Sequence, residues 1–300
     1  MGRISYHIYR PEKKCKGAVA VVHGMAEHSG RYEWFAGFLN QNGYGVVTYD
    51  LPGHGSAAGD KGYFGKRNGW DLLINSAVSA VRKTRKEFPD VPVFLFGHSM
   101  GSMICRCFLQ LHDQEIDGLM LSGAPNWQKA GKAGIAIGRI TKAVKGPKGH
   151  SRLMDQMVTG NFNRSVHRPR TKVDWLSYSR ENVDSYIADE LTGFGFTVNG
   201  YIDELTGMEQ MHNSGLYRCR RPQLPIAFFA GEEDPCTGGT KGLADSVNTL
   251  RKAGYSDIFQ KSYPHMRHEI LNETGKEKVG RDMVKWFDGV MERIGKQKKS

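Results

Sequence analysis

The stretch that decides the fold is residues 91–102, VPVFLFGHSMGS. Five residues, 92–96 (PVFLF), form a short apolar run, and Gly97-His98-Ser99-Met100-Gly101 follows as a G-x-S-x-G motif. Residues 100–111 then carry a helical pattern. A strand, a glycine-flanked serine and a helix in immediate succession are the context of a nucleophile elbow. The sharp turn needs small neighbours and points the serine hydroxyl outward at a helix amino terminus, where developing negative charge is favoured.

Working outward, similar apolar runs lie at 17–22 (GAVAVV), 45–49, 118–121 and 225–230, and a further strand, less apolar, is expected over 259–263. Each is short and most are bounded by Gly or Pro, as strands covered on both faces are. Helical patterns separate them at 31–42, 70–88, 239–253 and 276–295. Tyr32, Phe35, Phe38 and Leu39 mark the first, and Leu73, Ala77 and Val81 the second. Strands alternating with helices predict a mostly parallel central sheet flanked by helices, an α/β fold. The opening ISYHIY alternates in the manner of an antiparallel edge hairpin. From 123 to 222 the rhythm breaks and no clear apolar strand appears. Residues 1–122 and 223–300 therefore read as the core, and 123–222 as a mainly helical cap over the carboxyl ends of the strands, where such sheets bind ligands.

A serine hydroxyl is a weak nucleophile without a base, and in this fold class an acid and then a histidine follow it in the chain. Gly231-Glu232-Glu233-Asp234-Pro235 is an acidic turn at a strand's carboxyl end. Any of its three acids could orient an imidazole, and Asp234 is favoured because the step before proline is held extended. His265 and His268 compete as the base. His268 is preferred because its loop, just before the last helix, can reach the elbow. Acyl transfer also needs oxyanion donors. The Met100 N–H, directly after the serine, is one candidate, and the Met25 N–H of the His23-Gly24-Met25 loop is the other.

The strings VVHGMAEHSGRYEWFAGFL, GYGVVTYDLPGHGSAAGDKG, VPVFLFGHSMGS, AGEEDP and RHEILNE resemble, in order and in register, the monoacylglycerol lipase and lysophospholipase-like branch of the α/β-hydrolases, also grouped with serine aminopeptidases. The resemblance covers residues 16 to 121 and 225 to 290. It implies an α/β-hydrolase fold, Ser99, Asp234 and His268 as the triad, Met25 and Met100 as oxyanion donors, and a lipid acyl ester as substrate. It implies no metal and no cofactor. Two positions depart from the family pattern: Ser102 stands where a glycine is common, and Cys236 where valine is common. The first should still pack as a small residue. The second places a thiol near the pocket, as a small buried hydrophobe or as a target of thiol reagents.

Composition narrows the classes. Thirty-seven glycines in 300 residues are about 12%, against roughly 7% in an ordinary protein, which suits many tight turns. The five cysteines are irregularly spaced and no C-x-x-C is present, so zinc and thioredoxin-like readings are unsupported. The GHG at 53–55 lacks the lysine of a phosphate loop. No apolar run reaches 18 residues, and the amino terminus has no h-region, so a cytoplasmic protein is expected.

A net charge of +11 draws polyanions without saying which. Residues 123–172 hold eleven Lys and Arg against one acid, Asp155. There Ala130, Ala133, Ile137, Ile140 and Val144 share one side of a helical wheel, with lysines elsewhere. This cationic helix meets anionic membrane, lays its apolar side over the pocket, or does both. No nucleic-acid partner is expected. A shared triad also fits an amidase, peptidase or acyltransferase, and a non-catalytic basic binding protein is the competing class.

Overall fold

The computed structural model describes residues 4–160 and 162–297. Seven strands form one sheet: β1 (Tyr6–Tyr9), β2 (Gly17–Val22), β3 (Tyr44–Tyr49), β4 (Val93–His98), β5 (Gly118–Ser122), β6 (Ile226–Gly231) and β7 (Ile258–Tyr263). Their order is β1-β3-β2-β4-β5-β6-β7, and every pairing is parallel except β1 with β3. The opening segment is thus the expected antiparallel edge, but it makes no hairpin with its neighbour in sequence. Tyr6 pairs with Tyr49 and Tyr9 with Val46, because β2 is already enclosed between β3 and β4.

Residues of β2 to β6 are buried on both faces, which is why they read as unbroken apolar runs. Ala20 and Val22 of β2 join the core under α2 (Gly69–Glu87), α3 (Met100–His112) and α8 (Gly239–Lys252). Val19 and Val21 face the opposite core, filled by α1 (Glu33–Gln41) and α9 (Lys276–Gln297). Period-two alternation of the strand thus divides one apolar run between two layers.

Between β5 and β6 come α4 (Gly131–Lys145), α5 (Arg152–Val158), α6 (Arg180–Ala188) and α7 (Val198–His212). The side of α4 that faces inward is its glycine stripe. A Cβ on Gly134 would stand 2.9 Å from Leu205, and one on Gly138 2.6 Å from Ile202, so the glycines let α4 settle directly onto α7. The apolar arc is turned outward instead: Ile140 is 70% and Val144 81% exposed. The alternative in which this arc covers the pocket is therefore corrected, because close backbone approach to α7 required the glycine side.

Candidate active site

Chain order reverses around β2, with β3 on one side and β4 on the other, so the loops after β2 and β4 diverge at the carboxyl edge and leave a crevice. His23-Gly24-Met25 follows β2 and Ser99 follows β4. Ser99 has φ 52° and ψ −123°, a backbone conformation that costs about 1–3 kcal/mol for a residue with a side chain. Its neighbours hold it there. The Ser99 N–H donates to Ser122 O at 3.0 Å, and Ser102 Oγ donates to Ser99 O at 2.6 Å, so Ser102 packs and also braces the turn. Side chains at the flanking glycines would collide with it. A Cβ on Gly101 would lie 2.2 Å from Val22 O, and one on Gly97 2.6 Å from Cys105 Sγ.

The acidic turn sorts its three carboxyls by burial. Glu232 and Glu233 are exposed, whereas Asp234 is buried, with its Oδ1 accepting the Cys236 N–H at 2.8 Å. Its other oxygen, Oδ2, lies 3.0 Å from His268 Nδ1. Burial alone would lower the His268 pKa. The Asp234 carboxylate beside it outweighs that and holds the imidazole well above its ordinary value. His265 points to solvent, 3.7 Å from Glu233, whereas His268 is buried against Asp234. The loop bearing His268 is fixed from the 123–222 segment: Arg267 Nη1 donates to Asp174 O at 2.7 Å, the Glu269 N–H donates to Leu176 O at 2.8 Å, and the Trp175 ring lies 5.0 Å from that of His268.

Cys236 is buried, and burial pushes its thiol up to about 11. It is therefore a neutral thiol, although Asp234, Cys236 and His268 offer polar atoms all within 4.8 Å of one another.

Ser99, His268, Met25, Met100 and Cys236 share the wall of one cavity of about 530 Å³, a size suited to a small organic molecule. Most of its remaining lining, including Met103, Val158, Phe162, Trp175 and Met208, is apolar.

Residue-type arguments missed a buried ionic network beside this cavity. Arg31 Nη1 lies 2.6 Å from Glu269 Oε1 and 3.0 Å from Glu27 Oε2, and Asn182 of α6 donates to Glu269 Oε2 at 2.7 Å. Glu27 also accepts from Tyr32 Oη at 2.8 Å and from the Gly24 N–H. Burial would raise Glu269, but Arg31 holds it down to about 2. The network ties the loop after β2 to the residue following His268. Glu27, Arg31, Tyr32 and Glu269 lie inside the strings quoted for the family resemblance, and their adjacency to the motif residues was the available signal, whereas Asn182 lies outside them.

The family model described as serine aminopeptidase, S33, matches residues 13–275. The chain belongs to this serine hydrolase family. A monoglyceride lipase of Mus musculus is 33% identical over 276 residues, covering 88% of this chain and 83% of that one. A monoacylglycerol lipase of Mycolicibacterium smegmatis is 26% identical over 287 residues, covering 95% and 92%. The crystal structure of a thermostable carboxyl esterase from Bacillus coagulans superposes with a TM-score of 0.89 at 26% identity, covering 96% of this chain and 94% of that one. The sheet order, the flanking helices and these likenesses establish the α/β-hydrolase fold.

Proposed function

We propose that this serine hydrolase cleaves long-chain acyl monoesters, a monoacylglycerol or a lysophospholipid, through an acyl-enzyme on Ser99. The observation that carries the reading is the buried His268–Asp234 pair, at 3.0 Å, whose histidine lines the cavity that also holds Ser99. Ser99 Oγ attacks the ester carbonyl while His268 takes its proton. Asp234 accepts a hydrogen bond from the imidazole Nδ1–H, fixing the tautomer and stabilising the imidazolium. The Met25 and Met100 N–H groups receive the oxyanion, each worth about 2.7–4 kcal/mol in the transition state. The imidazolium then protonates the departing alcohol, and water repeats the sequence on the acyl-enzyme.

In this reading residues 123–222 act as the cap, and α4 brings the cavity to an anionic lipid surface from the cytoplasmic side. Its support is the exposed Ile140 and Val144, flanked by exposed Lys132, Arg139, Lys145 and Lys148, the pattern of an interfacial helix. No helix among the described residues is long and apolar enough to cross a membrane.

A p-nitrophenyl ester series from C2 to C16, run beside monoacylglycerol and lysophospholipid hydrolysis, tests the substrate class. A maximum at the longer chains, with release of fatty acid from at least one of the lipids, is expected. A maximum at acetate or butyrate would keep the esterase and discard the lipid substrate, and turnover of anilides in place of esters would move the reading to an amidase.

A further inference from the structure

Four acids line the cavity around Ser99: Glu27, Asp155, Glu204 and Glu269. Three are committed to partners. Glu27 and Glu269 hold Arg31, and Asp155 Oδ1 accepts from Tyr201 Oη. Glu204 is different. It projects from α7, is only 5% exposed, and among the described residues its Oε2 finds no hydrogen-bond partner. Its surroundings on the wall include Met208 of the same helix. A buried carboxyl without a partner is costly to keep, since its hydration is lost and nothing replaces it. Burial, with Asp155 adding to it, pushes Glu204 up to about 8, so at neutral pH its carboxyl is mostly protonated and offers both an O–H donor and an acceptor.

We propose that Glu204 is a specificity-determining residue that receives a neutral hydroxyl group on the substrate's acyl chain, so that hydroxyacyl esters are preferred over plain alkyl ones. A hydroxyl both donates and accepts, and so answers both faces of a carboxyl, whereas a methylene in the same place leaves the acid unpaired. Sites built to hydrogen-bond a hydroxyl discriminate strongly against analogues lacking it, for this reason. The proposal rests on the ester-hydrolase reading of the same cavity.

The test compares ω-hydroxyacyl and unsubstituted acyl methyl esters of equal length, from C4 to C10, in wild type, Glu204→Gln and Glu204→Leu. In parallel, calorimetry measures 1,8-octanediol and 1-octanol binding to Ser99→Ala, with and without Glu204→Leu. At the chain length where it is greatest, the hydroxyacyl-to-acyl ratio of kcat/KM should fall about 3–10-fold in Glu204→Leu, the range of one neutral hydrogen bond. It should be largely kept in Glu204→Gln, which retains a donor and an acceptor. The diol should bind tighter than the monoalcohol, and lose that advantage with Glu204→Leu. Equal ratios in wild type and Glu204→Leu, or equal binding of the two alcohols, would overturn the proposal. Diol selectivity without turnover of any ester would retain the Glu204 site and reject the ester-hydrolase reading instead.

Discussion

His268 Nδ1 stands 3.0 Å from Asp234 Oδ2, and the two side chains are 2% and 0% exposed. Water therefore competes little for this contact, and the Asp234 charge acts on the imidazole with little screening. The His268 pKa is raised well above 6.5, by the Asp234 charge and hydrogen bond against the opposing effect of burial. Because a base must be neutral to take a proton, kcat/KM should rise with pH through a limb lying above the ordinary imidazole range. Asp234→Asn should move that limb downward and lower kcat by about 10⁴, because the amide in place of the carboxylate favours the wrong imidazole tautomer. A stability term of the same origin is fully present below pH 6.5, the unfolded value, and is lost as pH climbs through the folded one. Melting curves of wild type and Asp234→Asn should accordingly differ most in acid and converge in alkali. pH–rate profiles of both proteins, with these melts, check the prediction.

Arg31 makes a second prediction. It holds Glu27 and Glu269 in a buried network, so Arg31→Met leaves two carboxylates without compensation. A loss of about 3–5 kcal/mol at neutral pH is expected. Glu269, held down to about 2 by Arg31 against the effect of burial, contributes stability present above its unfolded value and lost as pH falls through the folded one. The gap between Arg31→Met and wild type should therefore narrow in acid. Urea denaturation at pH 7 and pH 4 measures it, and an equal gap at both would contradict the ionic account.

The outward face of α4 carries a third. Ile140→Glu with Val144→Glu should reduce partitioning onto vesicles containing phosphatidylglycerol, and change folding stability by less than about 1 kcal/mol because both residues are exposed. Hydrolysis of a soluble short-chain ester should stay unchanged. Co-sedimentation with anionic and neutral vesicles at low and high salt is the measurement. Equal partitioning of variant and wild type would remove α4 from the lipid contact.

These features were unequally legible in the sequence. Ser99 stood out because a strand, a helix and two obligatory glycines surround it within a dozen residues. Asp234 could be ranked above Glu232 and Glu233 because a proline follows it, and burial then separated the three. The partner of β1 could not be read, since alternation marks an edge strand but says nothing of which neighbour it joins. For α4, the wheel marked alanines, isoleucines and valine as the apolar side, left open whether that side met lipid or pocket, and gave the glycines no contact. Packing on α7 instead used Gly131, Gly134 and Gly138 as the contact. Glu204 was the least visible. An acid in YIDELTGM looks like the solvent side of a helix, and only the tertiary fold turns it into an apolar cavity.

In the proposed reaction Ser99 is the nucleophile. Reaction with a fluorophosphonate probe, followed by peptide mapping, tests it most directly. One stoichiometric adduct on Ser99 is expected, absent from Ser99→Ala and strongly slowed in His268→Ala. An unlabelled protein, or an adduct on another residue that persists in Ser99→Ala, would contradict it.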